Sequence, residues 1–169
     1  MGMAILAFIQ SQFLAKTENV MLIGSFGASS VLVYGAIQSP LAQPRNLIGG
    51  HLVSALIGVT IYKFFPDILW LTAPLAVSLS IICMQITKTL HPPGGATALI
   101  AVIGSEKIKA LGYLYVISPV LTGSLILFIV AMIFNNMTSH RKYPTDKRFT
   151  NYLRSMFIRK KKNIDPEDE

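Results

Sequence analysis

Of the 169 residues, 52% are apolar and 14% charged, and the mean hydropathy is +0.54. A soluble domain carries about a quarter charged residues, so this chain lacks the polar surface to stay in water. Up to Phe134 the only charges are Lys16, Glu18, Arg45, Lys63, Asp67, Lys88, Glu106, Lys107 and Lys109, and all the others lie from Arg141 onward; an apolar body with a basic tail reads as a one-domain polytopic membrane protein.

The opening stretch "MGMAILAFIQSQFLAK" has no basic n-region and no small-residue cleavage site, so it is not expected to act as a secretory signal. Met1-Gly2 lacks the following Ser or Thr that myristoylation needs. Met3 to Ala15 is therefore a short membrane segment, which either spans with its ends snorkelling or is part of a longer first helix. Val20 to Ile37 is apolar and long enough to span, and it carries the small polar run Gly24 to Ser30. "SPLAQPRNLIGGH" follows; Pro40 and Pro44 define a loop, and Pro44 suits the first turn of a helix.

Crossing the hydrocarbon core takes about 20 apolar residues. Leu47 to Phe65, Leu71 to Leu90 and Tyr113 to Phe134 meet that length. The single cysteine, Cys83, lies inside one of them; it can form no internal disulfide and reads as core packing. Between the last two spans stands "HPPGGATALIAVIG", from His91 to Gly104. Pro92 forces His91 out of helical geometry, so the preceding helix must stop near Leu90. A helix over Gly95 to Gly104 covers about 15 Å, roughly half the bilayer core. It is a half-helix.

Placing Gly27 on Gly95 aligns the two halves of the chain. Gly27-Ala28-Ser29 then meets Gly95-Ala96-Thr97, Arg45 to Phe65 meets Tyr113 to Ile133, and Ala4 to Leu22 meets Thr72 to Leu90. Each half reads as helix, half-helix, helix: repeat 1 over about 1–66 and repeat 2 over about 69–134, within a membrane domain of residues 1–137. The expected fold is all-α, with four crossings and two re-entrant half-helices; the alternative is six crossings with inverted repeats. Either even number puts both termini on one side, which the basic tail makes cytoplasmic, as in a bacterial inner membrane.

Residues 138–169 form the expected tail. Tyr143 and Pro144 open a new helix with Asp146 near its first turn. Phe149, Tyr152, Leu153, Met156 and Phe157 recur at the spacing of a helical stripe, with Lys147, Arg148, Arg154 and the run Arg159 to Lys162 at other positions. This describes an interfacial helix on anionic lipid; a nucleic-acid arm is the competing use of a basic run, and it loses because the stripe starts close to the last span. "NIDPEDE" ends the chain as a solvated acidic stretch.

The half-helices carry the candidate chemistry. A helix starting at Gly95 or Ala96 exposes its first N–H groups, Thr97 adds a hydroxyl, and that end carries about half a positive charge. Gly27, Ala28, Ser29 and Ser30 repeat the device in the first half. Two such tips facing one another form a donor-rich anion site, to which His91, Gly95, Ala96 and Thr97 contribute. Against this stands plain packing, since small residues let membrane helices approach. Arg45, Asn46, His51 and Lys88 line the pathway or gate it, and each has a bland role beside the functional one. Arg45 can anchor to headgroups, His51 can bond a backbone carbonyl, and Lys88 can snorkel. Gly49 and Gly50 read as packing residues. No metal ligand set, phosphate loop or nucleophile elbow is present, and no cofactor is expected.

"SPLAQPRNLIGGHLVSALIG" and "LHPPGGATALIAV" together resemble the HPP family of integral membrane proteins, named after the tripeptide. The resemblance covers about Ile23 to Asn136. It implies four transmembrane helices and, from plastid and cyanobacterial relatives linked to nitrite, a transporter or channel for a small anion. The other expectations are a non-transporting scaffold that uses the basic tail for lipid or a partner, and, weaker, a membrane enzyme with His91 or His51 as base. The chain is not expected to be an enzyme, because neither histidine has a carboxylate nearby in sequence. So slim a bundle is expected to form a homo-oligomer in the lipid bilayer.

Overall fold

The computed structural model of the chain describes Phe8 and residues 19–146. The short first segment Met3 to Ala15, the amphipathic stripe Phe149 to Phe157 and the acidic end lie outside the described residues. Among the described residues every regular element is helical. Helix α1 is Asn19–Ser30 and continues without a break into a π-helical turn, Val31–Gly35. A 3-10 turn, Pro40–Ala42, leads into α2, Pro44–Phe64. Then come α3, Leu69–Ile86, the short α4, Pro92–Ile103, and the surface turn α5, Glu106–Leu111. A second π-helical turn, Val116–Leu121, precedes α6, Thr122–Asn136. Pro44–Phe64, Leu69–Ile86 and Val116–Asn136 are long and apolar enough to cross a membrane, and Pro92–Ile103 is not.

Helices α2 and α4 form the centre. Along α2, Gly50, Ser54 and Gly58 recur every fourth residue and so share one face. That face lies against Gly94, Ala98 and Ala101 of α4 and its approach. A Cβ on Gly50 would sit 2.4 Å from the His91 Cβ, and one on Gly58 only 2.5 Å from the Ala98 carbonyl oxygen. The two backbones touch, as small residues permit between helices that gain little from hydrophobic burial in lipid. Helix α3 packs through one narrow stripe, Thr72, Ala76, Ser80 and Met84, again every fourth residue. Leu69, Trp70, Leu71, Ile81, Ile82 and Ile86 face outward on the same helix, as lipid-facing side chains do.

Helices α1 and α6 close the other flank over Phe26, Val33, Leu47, Leu127 and Ala131. Tyr143 belongs to this cluster, so the chain beyond Met137 is not all tail. Its Oη donates to the Ala42 carbonyl (2.7 Å), and its backbone is held at both polar atoms by the Asn136 amide (2.5 and 3.1 Å). Arg141 Nη2 donates to the Tyr34 carbonyl, and Gln43 Oε1 accepts from the N–H groups of Thr145 and Asp146. Burial pushes the Tyr143 phenol above its ordinary range, with Tyr34 adding to the shift. Residues 143–146 form no helix where a helix start is expected, because these hydrogen bonds tie the backbone to other elements.

Three further expectations change. The helix after the break starts at Pro92, three residues before Gly95, because proline suits a first turn where no N–H is needed. Gly27 to Ser30 end α1 rather than begin a helix. The span read as continuous from Tyr113 bends at Ser118, which has extended dihedrals (φ −131°, ψ 118°) ahead of Pro119.

The seam predicts that Gly58→Val lowers stability by about 1–3 kcal/mol, as overpacking does. The check is a lowered melting temperature in detergent, with Gly24→Ala, whose Cβ would meet nothing within 4 Å, as the unaffected control. Tyr143→Phe, which loses one hydrogen bond, is expected to cost about 1 kcal/mol, and Tyr143→Ala about 3–5 kcal/mol in the same assay.

Candidate functional site

The break after α3 is braced from α2. Arg45 Nη2 donates to the Thr87 carbonyl (2.9 Å) and Asn46 Nδ2 to the Leu90 carbonyl (2.7 Å), so the first turn of α2 fixes the loop that delivers His91. Lys88 points out at this loop, with a positive φ of 56°. Pro92 sets His91 in extended geometry (φ −140°, ψ 103°), which turns its ring inward at the mouth of α4.

His51 comes from the buried face of α2, one residue past the Gly50 contact, and Ser25 and Ser29 share a face of α1. These side chains meet. Ser29 Oγ lies 2.8 Å from His51 Nε2 and 2.8 Å from His91 Nε2. His51 Nδ1 lies 2.7 Å from Thr97 Oγ1, which donates to Ser25 Oγ at 3.0 Å. At the other end His91 Nδ1–H donates to the Leu41 carbonyl (2.9 Å). A carbonyl oxygen only accepts, so this contact fixes which ring nitrogen of His91 carries hydrogen. Ser29 Oγ also approaches the Ser25 carbonyl (3.1 Å). The rings of His51 and His91 meet edge to face at 4.9 Å, and Phe26 caps His51 at 5.1 Å. Tyr115 Oη donates to the Thr97 carbonyl (3.0 Å), holding the middle of α4 from the opposite side.

The result is one buried polar row: Leu41 carbonyl, His91, Ser29, His51, Thr97, Ser25. Of the expected residues, the structure brings Ser29, His51, His91 and Thr97 together. It leaves others out: Gly27, Gly95 and Ala96 are half-buried, Ala28 is exposed, and Ser30 is buried with no hydrogen-bond partner for its Oγ. Arg45, Asn46 and Lys88 stand at the same end as His91 and act on the loop rather than on the row.

The expected pair of amide-bearing tips is not what the row is made of. Pro92 and Pro93 have no N–H, and Gly94 N–H already donates to the His91 carbonyl (2.8 Å). An anion arriving at the start of α4 finds those first amides absent or used. The donors and acceptors are side chains instead. Ser25 belongs to the polar run Gly24 to Ser30 that stands out in the sequence, though not to the expected site residues, whereas two participants were not expected at all: the Leu41 carbonyl and Tyr115. These two carry no local signal. Among the described residues no group of three His, Cys, Asp or Glu side chains could hold a metal.

Comparison with known proteins agrees with the two motifs. The family described as HPP, transmembrane region, matches residues 1–144, ending one residue past Tyr143. A transmembrane protein of Dictyostelium discoideum is 45% identical over 146 residues, 85% of this chain and 47% of the relative. Another from the same organism is 44% identical over 146 residues, 85% of this chain and 51% of the relative. The chain thus spans about half the length of these relatives, whose names say only that they are transmembrane proteins. The expected bacterial membrane has no parallel in them, since both are eukaryotic. No solved structure matches. The chain is an integral membrane protein and belongs to the HPP family.

Proposed function

We propose that the chain forms a transporter or channel for a small inorganic anion, with nitrite the leading candidate from the family resemblance. The supporting observation is the row itself. Two histidines and two hydroxyl residues from three helices are wholly buried and hydrogen-bonded to one another inside an apolar membrane body. Polar groups at that depth are costly, and where they occur they mark solute or proton pathways by default. Their chemistry suits an anion. Imidazole N–H and hydroxyl groups donate to oxygen, and no Asp or Glu is among the buried polar residues described. Arg45 and Lys88 add positive potential at the end where His91 stands.

On this reading α4, at about 18 Å for its length, carries the chain from the Arg45 end of α2 to its Lys63 end, where Lys63 Nζ lies over the Tyr113 ring. This favours the six-crossing alternative, and α1 with its π-helical turn is the counterpart of α4 in the first repeat. The small-residue contact between Ser25 and Thr97 lies where the two halves meet. The side that carries Arg45, Lys88 and Arg141 is the one that the positive-inside rule makes cytoplasmic. A homo-oligomer supplies the remaining wall.

Purified protein in liposomes is expected to take up nitrite faster than empty vesicles. His91→Ala and Thr97→Val each remove a donor to the charged solute, worth about 1.5–3 kcal/mol, and so slow uptake roughly ten- to a hundredfold. Uptake no faster than in empty liposomes, for nitrite, nitrate and chloride alike, overturns the reading.

A further inference from the structure

We propose that the row relays protons, because it has two complete hydrogen-bond patterns that differ by a single proton; this rests on the buried row being the functional site. The argument is a count of hydrogens. His91 carries hydrogen on Nδ1, because the Leu41 carbonyl only accepts. The Thr97 hydroxyl has one hydrogen and two neighbours, Ser25 Oγ at 3.0 Å and His51 Nδ1 at 2.7 Å.

Suppose Thr97 gives its hydrogen to His51. Neutral His51 then carries its own on Nε2 and donates it to Ser29. Ser29 in turn donates to the bare Nε2 of His91, and both imidazoles are neutral. The Ser25 hydroxyl has to turn and donate to Thr97, the reverse of the direction in the structure, and every contact in the row then has one hydrogen.

Now suppose Thr97 gives its hydrogen to Ser25. His51 must donate from Nδ1 to Thr97, so its Nε2 is bare and takes the hydrogen of Ser29. His91 Nε2 then faces an oxygen lone pair and needs a hydrogen of its own. Every contact is again satisfied, with His91 as imidazolium. The Ser25 and Pro93 carbonyls, 3.1 and 3.5 Å from the Ser29 and Thr97 hydroxyls, are the alternative acceptors and are weaker ones than an imidazole nitrogen.

One pattern becomes the other when a proton from hydronium or a weak acid arrives at Ser25. Ser25 passes its hydrogen to Thr97, Thr97 to His51 Nδ1, His51 from Nε2 to Ser29, and Ser29 to His91 Nε2. Each of Ser25, Thr97, His51 and Ser29 gains one bond to hydrogen and loses one, His91 only gains one, no electrons are exchanged, and the charge ends on His91. The proton leaves from His91 Nδ1 to water in the surface cleft that Pro40 and Gln43 line beside Leu41. Both rings then exchange their protonated nitrogens, and the hydroxyls swing back to restore the first pattern. A buried cation is costly, so His91 holds the charge in passing. The titratable or charged groups around the rings are each other, Tyr115 at the Thr97 carbonyl, Tyr143 at Ala42, and Arg45, Lys88 and Asp146 at the surface. Among the described residues, no carboxylate is ion-paired with either ring to trap the proton.

The test uses the full chain in liposomes carrying a lumenal pH dye, with a potassium diffusion potential to drive protons and nitrite uptake measured on the same vesicles. Wild type is expected to move protons faster than empty vesicles. Ser29→Ala, which parts the two imidazoles, slows this roughly a hundredfold, the lower end of what a positioned proton-transfer group contributes. Ser29→Thr keeps the hydroxyl and recovers most of the rate. Nitrogen-15 NMR of bilayer-embedded wild type should show His91 with hydrogen on Nδ1, and His51 changing its protonated nitrogen as pH falls. Proton movement equal to that of empty vesicles, or equal in Ser29→Ala and wild type, overturns the relay while nitrite uptake can still stand. Nitrite uptake absent with protons moving overturns the transport reading alone. If Ser29→Ala does not fold, the wild-type spectrum decides: His51 hydrogen fixed on one nitrogen at every pH overturns the relay.

Discussion

The approach of α2 to α4 is the constraint from which the rest follows. Where Gly50 and Gly58 stand, any side chain would collide with His91 or with the Ala98 carbonyl. Absence of side chains on that seam lets two helices lie backbone to backbone, and only then do His51 and His91, one from each side, come within ring contact. In water such a seam would forgo the main force of folding; in lipid, where tails are as apolar as leucine, close van der Waals fit is what holds helices together. The same glycines that assemble the bundle also set the geometry of its polar centre.

That centre is held without charge. The bracing bonds from Arg45 and Asn46 go to backbone carbonyls, and the row itself consists of imidazoles and hydroxyls. Each group can both give and take a hydrogen bond, so none is stranded in the low-dielectric interior, where an unpaired polar group costs about 1–3 kcal/mol. A site built this way tolerates burial and still offers donors to whatever enters it. It differs from a ring of free amides, which is fixed in polarity.

The legible part of the fold was whatever hydropathy and proline dictate locally. Apolar runs gave the spans near Leu47 to Phe65 and Leu71 to Leu90, and His-Pro-Pro marked a real break, with α3 ending at Ile86 and α4 short. His51, Ser29, His91 and Thr97 stood out as polar residues in greasy surroundings, and that contrast is visible without coordinates. What failed depended on geometry in detail. The two glycines after Pro93 suggested a late helix start, yet proline's own dihedral preference begins the helix at once and uses up the donors. Gly27 to Ser30 resemble Gly95 to Thr97 in composition, but their place at the end of α1 is set by where that helix starts, which no local residue announces. Pro119 was readable as a kink and lay hidden in an otherwise strong apolar run. Tyr143 could not be placed by any local rule, since Ala42, whose carbonyl its hydroxyl reaches, is far away in the chain.

Gln43 gives the far side of that docking a mechanical meaning. Its amide grips the carbonyls of Ile37 and Ser39 on one side and the N–H groups of Thr145 and Asp146 on the other, two positions from the oxygen that orients the first imidazole. Tension on the polypeptide as it leaves the bilayer is therefore delivered to the loop above His91 and not dissipated in a slack linker. A fusion partner or tag joined ahead of Asp146 would cut that strap, and the loop would lose its tether.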